Sequence, residues 1–371
     1  MNLSYWELDS YFTNVDYTII GSGIVGLSTA YHLHLKHPNA KIIVLEKGTL
    51  PEGASTKNAG FACFGSVSEI IDYLKFHPQN DIYQLIERRY LGLKKLRSLI
   101  SDQAMNYQQN GGYELFRQQD EKLMTQSFEQ LDEINEFLEP IFGAKPFQVS
   151  SKDFGFKGII GAIETPFEGQ IHTGKMMRKW VELVTSVGIP IVNRTEVKEL
   201  NEMNSGIEIS ITSGLTFKTH KAFLCTNAFT KNLVDLDVVP ARAQVLITKP
   251  IANLSLKGCF HMDQGFYYFR NIQDRILLGG ARNLDFEGET TTEFATSDRI
   301  QKDLEKQLNE IICPNQTIEI EHRWSGIMGM GSQRNPIIKQ ISDHLYCGVR
   351  LTGTGVAIGS LVGEELANLL D

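Results

Sequence analysis

The sequence has no apolar run approaching the roughly 20 residues that a membrane-spanning helix needs. Basic residues are also few, with 36 Lys and Arg against 44 Asp and Glu, and they form no block. A nucleic-acid-binding surface needs clustered positive charge, so that function has little support. The first 16 residues lack the basic start and apolar core of a secretory signal. We therefore expect a soluble cytoplasmic protein with no membrane partner.

Cysteine is sparse, and its five positions are Cys63, Cys225, Cys259, Cys313 and Cys347. No two of them have the C-x-x-C spacing of a zinc or redox motif, and an odd number does not suit a disulfide framework. The spacing of the histidines His172, His261 and His344 does not indicate metal ligation. We expect a reducing compartment and no metal site.

The most informative motif is Gly21-Ser22-Gly23-Ile24-Val25-Gly26, between a strand-like run at 17–20 and a helix-like run at 27–34. In such a motif the first glycine permits a tight turn, the second admits a pyrophosphate and the third lets helix pack on strand. The next strand-like run ends in Glu46, about 20 residues later, where a carboxylate that accepts ribose hydroxyls is expected. The spacing predicts a bound dinucleotide, against the alternative of an ordinary glycine turn.

The remaining pattern predicts two interleaved domains. Helical periodicity covers 81–138 and does not continue the βαβ alternation. A second amphipathic helix at 172–186 precedes β-rich runs at 207–225. A block at 242–282 alternates like an antiparallel sheet, and 344–370 reads as a strand, a glycine turn and a closing helix. We assign a nucleotide-binding domain to residues 1–80, 150–235 and 336–371, and a second, substrate domain to 81–149 and 236–335.

Several motifs, in a fixed order along nearly the whole chain, resemble the FAD-dependent amine and amino-acid oxidase family that includes D-amino-acid, glycine and sarcosine oxidases. Besides the glycine motif with Glu46, they are Gly53-Ala54-Ser55-Thr56-Lys57-Asn58-Ala59-Gly60, Gly169-Gln170-Ile171-His172, Leu224-Cys225-Thr226-Asn227-Ala228, Trp324-Ser325-Gly326 with Pro336, and Gly353-Thr354-Gly355. The start, Ser4-Tyr5-Trp6-Glu7, is similar to the γ-glutamylputrescine-oxidase-like branch. The implied fold class is α/β, with a Rossmann-like FAD-binding domain interleaved with an antiparallel-sheet substrate domain.

The resemblance implies non-covalently bound FAD, since neither Cys63 nor Cys347 fits covalent flavin attachment. The segment after Glu46 passes along the flavin, and its candidate contacts are Lys47, Ser55, Thr56, Asn58, Ala59 and Gly60. The hydroxyls and the amide among them can bond to pyrophosphate or ring heteroatoms. A plain Gly/Ser loop is the alternative.

Three further segments are implied to contact FAD. Val197 offers its backbone to adenine, and Thr226 lies where the strand on the pyrophosphate side ends. Gly353-Thr354-Gly355 opens the last helix, so that its N–H groups and dipole face the flavin N1–C2 oxygen and stabilise the negative charge of reduction. The alternatives are ordinary strand residues and an ordinary helix start.

In the enzymes that this chain resembles, the substrate carbon next to nitrogen lies over flavin N5, and a hydride leaves from an uncharged amine. No side-chain base is obligatory, so the protein positions the carbon and excludes water. Electrons then pass to oxygen or another acceptor. The lysine that assists oxygen in sarcosine-type enzymes is matched by Leu277, which makes a dehydrogenase plausible.

The family's usual carboxylate anchors are absent. Met328 and Ala357 stand where an arginine and a lysine would be expected, and Arg350 is the candidate replacement. Tyr268 and Arg270 alternate on one strand, so they share a face that is expected to line the cavity above the flavin. A surface arginine and core packing are the respective alternatives.

The favoured function is an FAD-dependent oxidase or dehydrogenase that oxidises a C–N bond of a small amine or amino-acid derivative. Two alternatives stay open. One is a tRNA-modifying oxidoreductase module, against which the lack of a basic patch counts. The other is a flavoprotein partner subunit without an amine substrate of its own, which the missing carboxylate anchors favour.

Overall fold

The computed structural model describes residues 3–370 of the chain. Its α-helices are α1 (Tyr5–Glu7), α2 (Ile24–Lys36), α3 (Ala54–Lys57), α4 (Val67–Phe76), α5 (Gln79–Ile100), α6 (Asp102–Met105), α7 (Glu121–Glu129), α8 (Leu131–Phe142), α9 (Thr173–Ser186), α10 (Asp298–Gln307) and α11 (Gly355–Asn368). Short 3₁₀ segments lie at Gln118–Asp120, Asn227–Asn232 and Arg282–Leu284, and π-helical turns at Leu8–Phe12 and Leu308–Ile312. Within residues 3–370, no helix combines the length and the apolar character needed to cross a membrane.

The strands form two large sheets and one small one. They are β1 (Val15–Ile20), β2 (Ile42–Leu45), β3 (Phe61–Ala62), β4 (Gly112–Arg117), β5 (Gln148–Val149), β6 (Ile159–Thr165), β7 (Gly169–Gln170), β8 (Ile191–Val192), β9 (Val197–Met203), β10 (Gly206–Ile211), β11 (Thr216–Leu224), β12 (Val239–Thr248), β13 (Cys259–Met262), β14 (Tyr267–Ile272), β15 (Arg275–Gly280), β16 (Ile320–Met330), β17 (Ile337–Gln340) and β18 (Leu345–Val349). The small sheet pairs β3 with β7.

The first large sheet has the order β17-β18-β11-β1-β2-β8, with β10 and β9 continuing from β11. Its centre is parallel: β1 pairs with β11 and β2, and β11 pairs with β18. All four residues of β2 are buried, as expected for a parallel strand covered on both faces. Helices α2, α5, α9 and α11 contribute to one core cluster on this sheet, while β9, β10 and β11 contribute to the cluster on the other side.

The second large sheet has the order β16-β12-β15-β14-β13-β4-β6-β5. It is antiparallel apart from the β13–β4 pair. Helix α10 packs on one face through Ile300 and Leu304, in a cluster that includes Tyr267. The neighbouring Tyr268 points to the opposite face, beside Val245 and Leu277, as strand alternation requires. The predicted α/β class with a second antiparallel sheet is confirmed.

Two strands and one helix depart from the predicted segments. Strand β4 interrupts the helical stretch predicted over 81–138, because its buried Gly112–Arg117 run completes the second sheet. Strand β6 also belongs to that sheet, although 150–235 was assigned to the nucleotide-binding domain. Helix α5, assigned to the substrate domain, packs its Leu85, Leu93 and Leu96 into the core of the first sheet. Sequence periodicity did not predict which sheet or core each of these elements joins, because that depends on contacts with distant segments.

Helix α5 crosses the start of α11 at Gly92. A methyl group at Gly92 would lie 2.4 Å from the Ala357 carbonyl oxygen and 2.9 Å from the Ile358 Cα. Both atoms belong to backbone, which cannot move aside as a flexible side chain can. The absence of a side chain therefore sets how closely α5 approaches the first turn of α11.

Gly92→Ala tests this contact. Alanine improves helix propensity by up to about 1 kcal/mol, but overpacking against backbone costs about 1–3 kcal/mol. We expect the free energy of unfolding to fall by about 1–2 kcal/mol in denaturant titrations. Leu91→Ala, whose side chain is 46% exposed on the same helix, is the control. A stability of Gly92→Ala equal to or above wild type would contradict the close crossing.

Candidate functional site

One large cavity, of about 1110 Å³, lies between the first sheet and the second. Its walls include the glycine motif at one end and residues of β12 and β14 at the other. Ligand pockets for drug-sized molecules typically measure about 300–1000 Å³. The cavity is therefore large enough for a dinucleotide and a small second molecule.

The glycine motif joins β1 to α2 at the cavity wall. Gly21 has a φ of +107°, which glycine adopts without strain. A Cβ atom on Gly23 would lie 2.9 Å from the Ser55 hydroxyl oxygen, and one on Gly26 would lie 1.9 Å from the Gly21 carbonyl oxygen. Gly21, Ser22 and Gly23 line the cavity, whereas Gly26 packs behind them. These placements agree with the turn, approach and packing roles of the predicted fingerprint.

Glu46 holds this loop from the end of β2. Its Oε2 accepts hydrogen bonds from the Ser22 N–H (3.1 Å) and the Ser22 hydroxyl (2.6 Å), and its Oε1 accepts from the Gly48 N–H (3.0 Å). The side chain also lines the cavity. Glu46 thus orders the glycine loop, a role that the ribose-binding prediction did not include.

Two helices begin at the cavity without a side-chain cap. Gly23 precedes α2, and Thr354 precedes α11. The Thr354 hydroxyl donates to the Leu351 carbonyl (3.1 Å) instead of accepting from the helix. Gly353, Thr354 and Gly355 all line the cavity. At α2 the Ile24 N–H is bonded to the Ser55 hydroxyl. The remaining free N–H groups and the positive dipole ends of both helices suit anionic ligand atoms.

The end of the cavity beside Glu46 contains Lys47, Val197 and Thr226. The Thr195 N–H donates to the Glu46 carbonyl (2.8 Å), which brings the start of β9 to this end. The Lys47 ammonium lies 3.6 Å from the centroid of the Phe229 ring. The hydroxyls of Thr226 and Thr230 are bonded at 2.8 Å.

The segment around α3 only partly matches its prediction. Ser55 and Ala59 line the cavity, and the Ser55 hydroxyl accepts from the Ile24 N–H (3.0 Å). The Thr56 hydroxyl instead donates to the Pro51 carbonyl (2.7 Å) and lies outside the cavity lining. Asn58 lines the cavity, but its amide donates to the Ala54 and Ser55 carbonyls. Thr56 therefore shapes the loop, which corrects its predicted bond to the cofactor, whereas for Asn58, which lines the cavity, that bond stays a prediction.

Arg270 supports the same segment from behind. Its guanidinium donates to the carbonyls of Ala59 (2.5 Å), Ile171 (3.0 Å) and Asn271 (3.1 Å). Burial lowers its pKa to about 10. It lies outside the cavity lining, as does Gly60, whose missing Cβ leaves room for the guanidinium. Arg270 is a positioning residue in this structure, which corrects its predicted contact with substrate.

Arg350 is not brought to the cavity. Its guanidinium forms an ion pair with Asp237 (2.5 Å) and donates to the Asn335 carbonyl (3.0 Å). Its backbone has a φ of +64°, which carries the chain from β18 toward the glycine turn. Because the guanidinium already has an acidic partner outside the cavity lining, the predicted role as a substitute carboxylate anchor is corrected.

Tyr268 forms one wall of the cavity with Phe61 and His261. The Phe61 ring lies edge-on to both neighbours, 5.4 Å from Tyr268 and 5.3 Å from His261. Burial raises the pKa of Tyr268 to about 12, so the phenol keeps its proton at neutral pH. This placement agrees with the face predicted for Tyr268.

A cluster of Cys63, Glu168 and His261 adjoins this wall and was not predicted; Glu168 is buried, whereas Cys63 and His261 are partly buried and line the cavity. Their ligand-type atoms lie within 4.8 Å of one another, so they have the side chains and spacing of a potential metal site. Glu168 accepts from the Phe64 N–H (3.1 Å) and faces His261 Nε2 (3.5 Å). Burial opposes protonation, but Glu168 outweighs it and raises the pKa of His261 to about 9. The ion pair gives Glu168 and His261, two of the three side chains, a partner within the protein.

Three distant segments supply this cluster, so no sequence spacing indicated it. Two further cavity-lining residues were also missed, Arg282 and Arg334. Arg282 begins a 3₁₀ segment after β15, and Arg334 lies in the loop after β16, and neither residue belongs to the quoted motifs. Only the tertiary arrangement brings them to the site.

The comparisons with known proteins agree with this architecture. Residues 16–369 match the family model described as FAD dependent oxidoreductase. The chain therefore belongs to the family of FAD-dependent oxidoreductases, with FAD as its cofactor.

The individual relatives are distant. A probable oxidoreductase, OrdL, of Haemophilus influenzae is 20% identical over 369 residues, covering 96% of this chain and 83% of the relative. Among solved structures, L-proline dehydrogenase from P. horikoshii is 18% identical with a TM-score of 0.75, covering 96% of this chain and 93% of that one. Glycine oxidase from Geobacillus kaustophilus is 19% identical with a TM-score of 0.75, covering 96% and 94%. At these identities the structures show a shared fold.

Glu46→Gln tests the support of the glycine loop. Both carboxylate oxygens accept hydrogen bonds, and an amide must oppose one of these donors with its own NH₂ group. Loss of one charge-assisted bond corresponds to about 1.5–3 kcal/mol, so we expect FAD affinity to fall about 10- to 100-fold in equilibrium titrations of the apoprotein. Glu199→Gln, an exposed change on β9, is the control. Unchanged FAD affinity would contradict this role.

Glu168→Gln tests the buried ion pair. A His261 pKa raised above its ordinary value stabilises the fold below about pH 6.5, and this contribution is lost as pH rises through about 9. We expect wild type to exceed the variant in unfolding free energy by on the order of 2–3 kcal/mol at pH 6, with a much smaller difference above pH 9. Exposed Glu202→Gln is the control. A difference independent of pH would count against a protonated His261.

Proposed function

We propose that this FAD-dependent oxidoreductase oxidises a C–N bond of a small amine or amino-acid derivative by hydride transfer to flavin N5. The observation that carries the proposal is a single cavity that joins the dinucleotide fingerprint to an aromatic wall on the second sheet. Such a cavity allows a cofactor and a small substrate to lie side by side. Several fold relatives carry names of enzymes that act on amino acids or amines, including iminodiacetate oxidase from Chelativorans sp. BNC1.

The cavity residues suit the parts of FAD. The N–H groups of the glycine motif and the start of α2 are placed to hold the pyrophosphate, and Glu46 retains capacity to accept from the ribose. Val197 lies at the same end for adenine. The start of α11 would hold the flavin carbonyl edge, where its dipole favours negative charge. When bound, FAD supplies the electron sink for the hydride removed from the substrate carbon.

The protonation states of the side chains at and beside the aromatic wall favour chemistry without a side-chain base. Tyr268 keeps its phenolic proton because burial raises its pKa to about 12. Burial opposes protonation of His261, but Glu168 raises its pKa to about 9, and burial raises the pKa of the Cys63 thiol well above its ordinary value. None of these three groups accepts a proton readily at neutral pH. Hydride loss from a neutral amine needs no proton acceptor on the protein, because the amine has released its proton before it reacts.

The chain's contribution is then binding, orientation and exclusion of water. Tyr268 and Phe61 present ring surface to a substrate carbon, and Arg270 fixes the carbonyls of the segment alongside. Correct placement of reacting atoms lowers the barrier without any new chemical group. The imine product hydrolyses in water, and electrons leave to oxygen or another acceptor.

Anaerobic titration of the holoprotein with a panel of amines, N-methyl amino acids, D-amino acids and γ-glutamyl amines tests the function. We expect one class to bleach the visible flavin band. The pH midpoint of the bleaching rate is expected to follow the pKa of each amine used, because the neutral amine reacts and no protein base sets the profile.

Two results would contradict the proposal. A yellow protein that no amine bleaches would lack the C–N oxidation. A single pH midpoint shared by amines of different pKa would assign the step to a protein base. Wild-type protein mixed with the corresponding alcohols serves as the control, since an alcohol has no C–N bond.

A further inference from the structure

Two arginines line the cavity without an acidic partner. Arg282 follows β15, and Arg334 lies in the loop between β16 and β17. The Arg282 guanidinium carbon lies 4.7 Å from the Phe286 ring centroid, and that of Arg334 lies 4.8 Å from the Tyr73 ring centroid. Within residues 3–370, neither guanidinium has a salt bridge or a hydrogen bond to a protein acceptor. Aromatic faces hold such groups in place but do not neutralise their charge.

The two guanidinium groups act on one another. Burial and the neighbouring charge of Arg334 lower the pKa of Arg282, whereas Glu289 acts in the opposite direction. Glu289 is itself paired with Arg242 at 2.8 Å. Two like charges kept together at a half-buried site are a costly arrangement that a bound anion relieves.

Glu69, Asp72 and Arg89, which line the same cavity, have partners of their own. Glu69 accepts from the Ser66 N–H (3.0 Å) and from the Tyr73 hydroxyl (3.3 Å). Asp72 faces Lys75 at 3.5 Å. Arg89 donates to the Phe64 carbonyl (2.9 Å). The carboxylates that line this region are thus engaged with their own helix α4, and the Arg282–Arg334 pair stays available.

The pair lies on the substrate side of the cavity. The Thr352 hydroxyl donates to the Arg334 carbonyl at 3.1 Å, so the Arg334 loop abuts the Gly353-Thr354-Gly355 turn. Arg282 lies two residues after Gly280, which pairs with Tyr267 in the strand that carries Tyr268. The main chain of Arg334 therefore lies beside the glycine turn before α11, and Arg282 follows the strand that pairs with the Tyr268 strand.

We propose that Arg282 and Arg334 form an anion-binding subsite that holds a carboxylate of the substrate. Two guanidinium groups offer paired N–H donors that match a carboxylate in geometry and charge. The inference rests on the proposed function and narrows its substrate class to amines that also carry a carboxylate. It supplies the anchor that Met328, Ala357 and Arg350 do not provide.

Matched ligand pairs test the subsite without turnover. Holoprotein is titrated with benzoate and benzamide, and with acetate and acetamide, while the flavin visible spectrum is followed. We expect wild type to prefer each carboxylate over its amide. Arg282→Gln and Arg334→Gln are each expected to weaken carboxylate binding about 10-fold or more, and the double variant to lose the preference. Arg178→Gln, an exposed residue paired with Glu182, is the control.

Unchanged carboxylate preference in the double variant, or no preference in wild type, would overturn the subsite. FAD content of each variant is measured first, and Arg334→Lys, which keeps the charge, is expected to restore part of the binding. The experiments distinguish failure of the proposed subsite from failure of the proposed reaction. Arginine-dependent carboxylate binding with no amine that bleaches the flavin would sink the C–N oxidation alone, while bleaching without that binding would sink the subsite alone.

Discussion

The buried carboxylate of Glu46 is the constraint on which the cofactor end of the molecule depends. It joins the end of β2 to the turn before α2 through both the backbone and the hydroxyl of Ser22, and its other oxygen fixes the chain at Gly48. The Glu46 backbone carbonyl also receives the Thr195 N–H. One residue therefore sets the relative position of the glycine loop, the segment that follows β2 and the start of β9. The cavity keeps its shape at that end because these three segments all bond to Glu46, two through its carboxylate and one through its backbone carbonyl.

Arginine has three different uses around the cavity, and the partners of each guanidinium distinguish them. Arg270 is enclosed and donates to backbone carbonyls, so it builds the wall. Arg350 is neutralised by Asp237 outside the cavity. Arg282 and Arg334 rest on aromatic rings and keep an unneutralised charge facing the cavity. All four residues are arginine, so the acceptors around each guanidinium decide which of them is free to bind a ligand.

Features that arise from local chain geometry were predictable from the sequence. The glycine motif, its distance to Glu46 and the alternation of Tyr267 and Tyr268 all depend on neighbours within one element or one βαβ unit. Features assembled across the chain were not. Cys63, Glu168 and His261 come from three segments, and β6 reaches the second sheet by pairing with β4. Arg350 was misplaced because its position two residues before Thr352 does not show where its side chain finds a partner, whereas the ion pair with Asp237 depends on a distant loop.

The starts of α2 and α11, whose N-cap residues make no side-chain cap, have a consequence for the stability of the fold. Neither Gly23 nor the Thr354 hydroxyl caps its helix, and although Ser55 accepts from the Ile24 N–H, other N–H groups of the first turns of α2 and α11 are left without a side-chain partner at the cavity. A ligand present at 100 times its dissociation constant adds about 2.7 kcal/mol to the stability of a fold that it binds. The FAD-free chain lacks that increment, so its free energy of unfolding is expected to rise with the concentration of FAD.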